Sequence, residues 1–256
     1  MKPSIISPKL APLFGILSVI LGWQLVATLI HAPLLLPSPG TTLAELRALA
    51  GTGDFWHHLG VTLVRGVAGF GIAFLTGLTV GIVAGRFRAA GEFLRPIIVF
   101  IRSTPVMSVI ILALIWFRRE TVPIFVIFLM AFPIVVQNVM EGIRGIDPEL
   151  REMVKVFRVG KYRSFTRLYL PGLAPFLAAG VSAGLGLTWK VLIAAEVLSY
   201  PKWGIGSQMD TARVFLQTEK VFAWTLVVIA LGLIFDYLLE FLLKLPFAKW
   251  RRSAHD

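Results

Sequence analysis

"GVTLVRGVAGFGIAFLTGLTVGIVAG", Gly60–Gly85, carries one charged residue, Arg65, in an otherwise apolar or weakly polar run. About 20 such residues suffice to cross the hydrocarbon of a bilayer as a helix. Gly77, Gly81 and Gly85 recur every four residues and share one helix face. Small residues at that spacing let two membrane helices approach closely. The run predicts a spanning helix with a packing face, and Gly180 and Gly184 predict the same in a later span.

Working outward, six such spans are expected, at about 11–30, 60–85, 95–117, 122–140, 173–198 and 221–243. The composition agrees. The chain of 256 residues is 57% hydrophobic and only 15% charged, with a mean hydropathy of +0.81. A soluble domain of this length needs more polar surface. The expected fold class is an all-α integral membrane protein, with residues 1–256 as one transmembrane domain and no soluble domain. The N-terminal apolar run is too long for a cleaved leader and lacks an Ala-x-Ala site, so a retained first helix is expected.

A formal net charge of +11 would suggest a nucleic-acid partner in a soluble protein. Here the cations lie between spans. With the N-terminus inside, sixteen Lys and Arg fall in inner segments and six in outer ones, while Arg65, Arg102 and Lys190 fall inside spans. The positive-inside rule then places both termini in the cytoplasm. The absence of cysteine excludes disulfides and thiolate metal sites. Outer residues 31–58 pass through Pro-Ser-Pro-Gly into an amphipathic stretch. Thr41 or Thr42 is expected to cap a short surface helix there, with Glu45 following.

Seven of the inner cations crowd into residues 141–172, where "ELREMVKVFRVGKYRSFTRLYLPG" runs from Glu149 to Gly172. This segment is too polar to span. It divides into two short helices. Asp147 caps the first with Pro148 at its first position, Gly160 breaks the chain, and Pro171 ends the second. Val154, Phe157, Phe165 and Leu168 give them apolar faces. On charge alone this could be a solvated basic loop.

The order of residues resembles the cytoplasmic loop of ATP-binding-cassette importer permeases, whose pattern is Glu-Ala-Ala, three residues, Gly, then Leu-Pro. Glu152 stands at the Glu position, Met153 and Val154 replace the alanines, Arg158 stands where the family has Gly, and Leu170-Pro171 follows. Gly160 is expected to supply the turn instead. The resemblance covers nearly the whole chain and is closest to the nitrate/sulfonate/taurine branch. "LPSPGTTLAEL", "LRPIIVFIRSTPVMSVIILALIWF" and "GLGLTWKVLIAAEVLSYPKWGIGSQM", with Gly204-Ile205-Gly206, follow in that branch's order.

The resemblance implies a type I importer permease in the bacterial plasma (inner) membrane. It implies a second copy of the chain, two cytoplasmic ATPase subunits that carry ATP and Mg, and an extracytoplasmic solute-binding protein. This chain itself would bind no cofactor. Residues 141–172 become the coupling loop, with Glu149, Glu152, Met153, Val154, Phe157, Arg158, Gly160, Leu170 and Pro171 as ATPase-coupling residues. The cargo would be a small anion such as nitrate, a sulfonate, taurine or bicarbonate.

Charged groups inside spans are functional candidates. Arg102, with Ser103 and Thr104, and Lys190 and Glu196 are candidates for the translocation path. Lys190 and Glu196 are six residues apart, about 120° around the helix, and do not share a face. Glu196 is expected to reach the interface, unless it pairs with Lys190 across helices or subunits. Arg65 and Arg102 suit snorkelling. The four histidines are expected outside the spans, without metal spacing, and Gln137 and Asn138 as hydrogen-bonding groups closing the fourth span. No Gly-x-x-x-x-Gly-Lys-Ser/Thr loop and no His-Glu-x-x-His occurs. The chain is expected not to be an enzyme. A secondary transporter or channel would leave the loop unexplained. An intramembrane enzyme would need paired catalytic groups at one depth.

A reporter fused after Asp256 should read cytoplasmic, and a tag near Gly51 should read external. An external C-terminus would mean that one span has been miscounted.

Overall fold

The computed structural model describes residues 11–252. Lys2, Lys9 and His255 fall outside that range, as do the side chains of Lys244, Lys249, Arg251 and Arg252. Among the described residues eleven α-helices follow one another: α1 (Ala11–Ile30), α2 (Pro39–Ala50), α3 (Gly53–Arg86), α4 (Arg88–Ser103), α5 (Val106–Trp116), α6 (Val122–Arg144), α7 (Pro148–Val156), α8 (Lys161–Ser164), α9 (Leu170–Ser199), α10 (Ile205–Val214) and α11 (Thr218–Arg252). Five helical stretches are long and apolar enough to cross a membrane, and α4 with α5 forms a sixth, bent pair.

The centre of the bundle is the contact of α3 with α6. Those two helices run parallel with a constant register. A Cβ on Gly69 would lie 2.9 Å from Ile127, one on Gly77 2.9 Å from Val135, one on Gly81 2.7 Å from Val139, and one on Gly85 2.8 Å from Ile143. Each pair is 58 positions apart. The Gly77, Gly81 and Gly85 face therefore packs on α6, whose β-branched side chains fill the space that the missing Cβ atoms leave. Helix α9 runs antiparallel across both, with Gly180 against Asn138 and Gly184 against Phe70. Phe70, Ile127, Val135, Val139, Leu173 and Leu192 close this core. Helix α5 joins α6 and α9 through Val109, Ile110, Val126 and Val191.

The expected third span is not one helix. It breaks at Thr104-Pro105, and α4 and α5 meet at 97°. Pro105 has no N–H to continue the ladder, and its ring excludes the helical conformation at Thr104, which sits at φ −76°, ψ 126°. Arg102, Ser103 and Thr104 therefore form a corner rather than the start of a span. The cap of α2 is Ser38, whose hydroxyl accepts from the Thr41 N–H, with Pro39 in the first turn. Thr41 and Thr42 lie inside the helix. Helix α3 starts at Gly53, seven residues before the expected span, so His57 and His58 belong to it rather than to a loop.

The end of the bundle holding residues 141–172 is called here the basic end. Asp147 caps α7 as expected, accepting from the Glu149 N–H at 2.8 Å. The turn that follows is supplied by Arg158, at φ +48°, not by Gly160, at φ −59°. The Val159 N–H reaches Val154 O and the Arg158 N–H reaches Lys155 O, the paired bonds of a Schellman cap. Pro171 does not end a helix. A π-helical turn over Phe165–Tyr169 widens the coil just before it, and the chain continues as one helical rod from Lys161 to Ser199. The wider turn relieves the clash between the proline ring and the preceding carbonyls.

Gly81→Val should overpack the α3–α6 contact and lower the melting temperature of the detergent-purified chain, by about 1–3 kcal/mol in stability. Gly71→Val, on the same helix with open space around it, should change little. Equal losses would show that the glycine face does not carry the packing.

Candidate functional site

Two polar assemblies stand out, one at each end of the bundle. At the end opposite the basic one, Glu196 near the close of α9 is wholly buried, at 0% exposure. It does not reach the interface, and its partner is not Lys190. Arg65 of α3 donates to its Oε1 at 2.9 Å, the Thr62 hydroxyl donates to Oε2 at 2.9 Å, and the Gly206 N–H donates to Oε2 at 3.0 Å. Arg65 is buried too and also donates to Trp203 O. It is an ion-pair partner, not a snorkelling side chain. The Thr62 hydroxyl accepts from the Ile205 N–H at 2.8 Å. His58 Nδ1 lies 3.0 Å from the Gly204 nitrogen.

The Gly204-Ile205-Gly206 turn is shaped around this carboxylate. A Cβ on Gly204, at φ +150°, would lie 2.7 Å from the Glu196 carboxyl atoms, and one on Gly206 would lie 2.5 Å from Glu196 Cβ. Only glycine fits either place. The cluster thus ties α3, α9 and the loop before α10 together, and Glu196 has no open face towards a path. Charge-assisted bonds of this kind are short and strong, and a buried pair is stable only when fully bonded.

The other expected path residues lie elsewhere. Arg102, at the α4–α5 corner, donates to Gln137 Oε1, and Gln137 donates to Glu141 at 3.0 Å. Asn138 donates to Ile134 O of its own helix. Ser103 is exposed beside Arg102. Lys190 is exposed on the other side of α9, in a cavity lined also by Val67, Phe235 and Asp236. Arg102 with Ser103 and Thr104, Lys190, and Glu196 therefore occupy three separate places. Among the described residues no group of acidic and histidine side chains could hold a metal.

At the basic end, α7, α8 and the π-turn form a projecting elbow. Glu149 lies in the first turn of α7, and Met153 is exposed on the same outward side. Val154 is half-buried and lines a groove with Val159, Arg163 and Leu168. Phe157 is 74% exposed, with Arg158 and Gly160 beyond it. Leu170 and Pro171 begin α9. Glu152 is exposed but turned towards the bundle side, where it lines a second cavity with Arg86 and Tyr169. Sequence reasoning missed Val156, 76% exposed, and Tyr162, 81% exposed. Their position beside Phe157 in the quoted stretch was the available signal. With Phe157 they give the charged elbow three large exposed side chains.

The family profile described as "Binding-protein-dependent transport system inner membrane component" matches residues 77–245. The chain is 31% identical to an aliphatic sulfonates transport permease of Bacillus subtilis, over 90% of this chain and 84% of that one. It is 32% identical to the taurine transport system permease of Escherichia coli, over 88% and 83%. It is 30% identical to the bicarbonate transport system permease of Synechococcus elongatus, over 89% and 85%. A solved structure of the MetNI methionine ABC transporter, in inward-facing conformations, matches with a TM-score of 0.52 at 19% identity, covering 74% of this chain and 90% of that one.

Glu196→Ala should leave the Arg65 guanidinium buried and unpaired, lowering stability by about 3–5 kcal/mol. Replacing Arg65 and Glu196 together by methionine should recover much of that loss in thermal unfolding. A double variant as unstable as the sum of the singles would contradict the coupling.

Proposed function

Because the chain belongs to the family of binding-protein-dependent transport system inner membrane components, we propose a working arrangement for it within such a transporter. It is a multi-pass permease subunit of an ATP-driven importer with the type I importer fold, and ATP hydrolysis belongs to separate partner subunits. This displaces the reading as an ATPase-independent transporter or channel. In the arrangement proposed, the basic end faces the cytoplasm, two copies of the chain enclose the path, and each elbow of residues 141–172 seats on one ATPase subunit. The solute-binding protein delivers cargo at the opposite end.

The observation that carries the docking assignment is the exposed apolar tip of the elbow, Val156, Phe157 and Tyr162. Glu149 and Met153 share the outward side of α7 with it, and the Schellman cap at Arg158 aims it. Leu170 and Pro171 join the elbow to α9, so a push on the tip passes directly into a core helix. Glu152 contributes from the edge of α7. Closure of the ATPase pair would move the elbows and switch the bundle between two packings.

The cargo proposed is a small anion or sulfonate-bearing solute. The relatives named for sulfonates, taurine and bicarbonate support that class. So do Arg102 and Lys190, two exposed cations, one at the α4–α5 corner and one on α9.

Val156→Asp with Phe157→Asp should cut co-purification with the partner ATPase by about tenfold or more, since central apolar anchors dominate such contacts. Membrane insertion should be unchanged. Undiminished co-purification by this variant would reject the elbow as the docking element.

A further inference from the structure

Helix α7 has no buried residue and makes only marginal contact with the other helices. Between it and the bundle lies a cavity of about 270 Å³. Arg86 enters from the end of α3, Arg151 and Lys155 from α7, and Tyr169 from the π-turn, with Gly85 behind. Glu152 is the only acidic residue in the lining. None of the three cations forms an ion pair among the described residues. Arg151 and Lys155 are four apart on one helix face, where like charges destabilise the helix. Three cations thus line a gap with one carboxylate among them, an excess of positive charge that no other described residue in the lining offsets.

We propose that this cavity binds a phosphate-bearing anion that bridges Arg86 of α3 to Arg151 and Lys155 of α7. The volume holds a phosphate group together with several waters at about 30 Å³ each. Two guanidinium forks and an ammonium are the groups that bind phosphate oxygens with charge-assisted bonds. Tyr169 completes the lining. The cavity lies where α3 and α6 end and α9 begins, and the ends of spanning helices are where lipid headgroups meet water. The phosphate can therefore belong to an anionic lipid or be free inorganic phosphate. Once bound, it replaces the missing contact between α7 and the bundle and fixes the angle of the elbow. This holds whatever the elbow docks on, so it does not depend on the arrangement proposed above.

The test uses the full chain in a neutral detergent. Inorganic phosphate is titrated against chloride at matched ionic strength, and phosphatidylglycerol against phosphatidylcholine, with the melting temperature as readout. A saturable rise with phosphate, its apparent Kd weakened at least about tenfold by Arg86→Gln, Arg151→Gln and Lys155→Gln together, identifies free phosphate as ligand. A rise with phosphatidylglycerol alone, abolished by the same variant, identifies the headgroup. Glu152→Gln should tighten either ligand. No rise with either ligand overturns the proposal, and so does a rise that the triple variant leaves intact. If the triple variant does not fold, Lys155→Gln alone, at an exposed position, is carried through the same titrations and must weaken binding.

Discussion

Everything in this bundle hangs on the contact of α3 with α6. In hydrocarbon no hydrophobic gain draws two helices together, because lipid is as apolar as leucine. Association must come from close packing over a long seam. The seam here is four glycines meeting Ile127, Val135, Val139 and Ile143 at one constant register. A slip of one residue would set each glycine beside the wrong neighbour. Both helices run in the same direction, so the seam also fixes which ends lie together. Helix α9 can then lie antiparallel over both, and its far end can bring Glu196 to Arg65.

That meeting makes a second anchor of a different kind. Packing along the seam is spread over many weak contacts. The carboxylate cluster concentrates a few strong ones at a single depth. It shapes the Gly204-Ile205-Gly206 turn and sets where α10 begins. At the basic end the side-chain links described are more exposed, Arg102 to Gln137 and Gln137 to Glu141. There α7 stands away from the bundle, held by its caps and the chain on either side. One end is locked and the other is loose.

The features legible in the sequence were those carried by local order. The apolar runs, the Gly77, Gly81 and Gly85 face and the Asp147 cap each need only near neighbours. The corner at Pro105 was missed because the surrounding residues are apolar enough to pass as one span. Pro171 reads as a stop in the sequence because a π-turn is not visible in composition. Arg158 was set aside for Gly160, although in the described backbone the left-handed turn falls on the arginine. The Arg65–Glu196 pair joins positions 131 apart, and no periodicity reports that. One signal was available. Two opposite charges stood near the same expected end of their spans, and equal depth in the membrane makes such groups natural partners.

The unbroken helix from Lys161 to Ser199 has a mechanical meaning. Its 39 residues make a rod of about 58 Å. The lower end belongs to the elbow, and Glu196 sits three residues from the upper one. Such a rod acts as a lever through its crossing with α6. Tilted by about 10° at mid-length, it carries each tip through about 5 Å, roughly the rise of one helical turn. The π-turn over Phe165–Tyr169 interrupts its regular coil close to the elbow end. The stroke of any such tilt is set by the length of the arm, and a displacement of the elbow, as in the arrangement proposed above, would have to pass the wider turn before it reached the crossing.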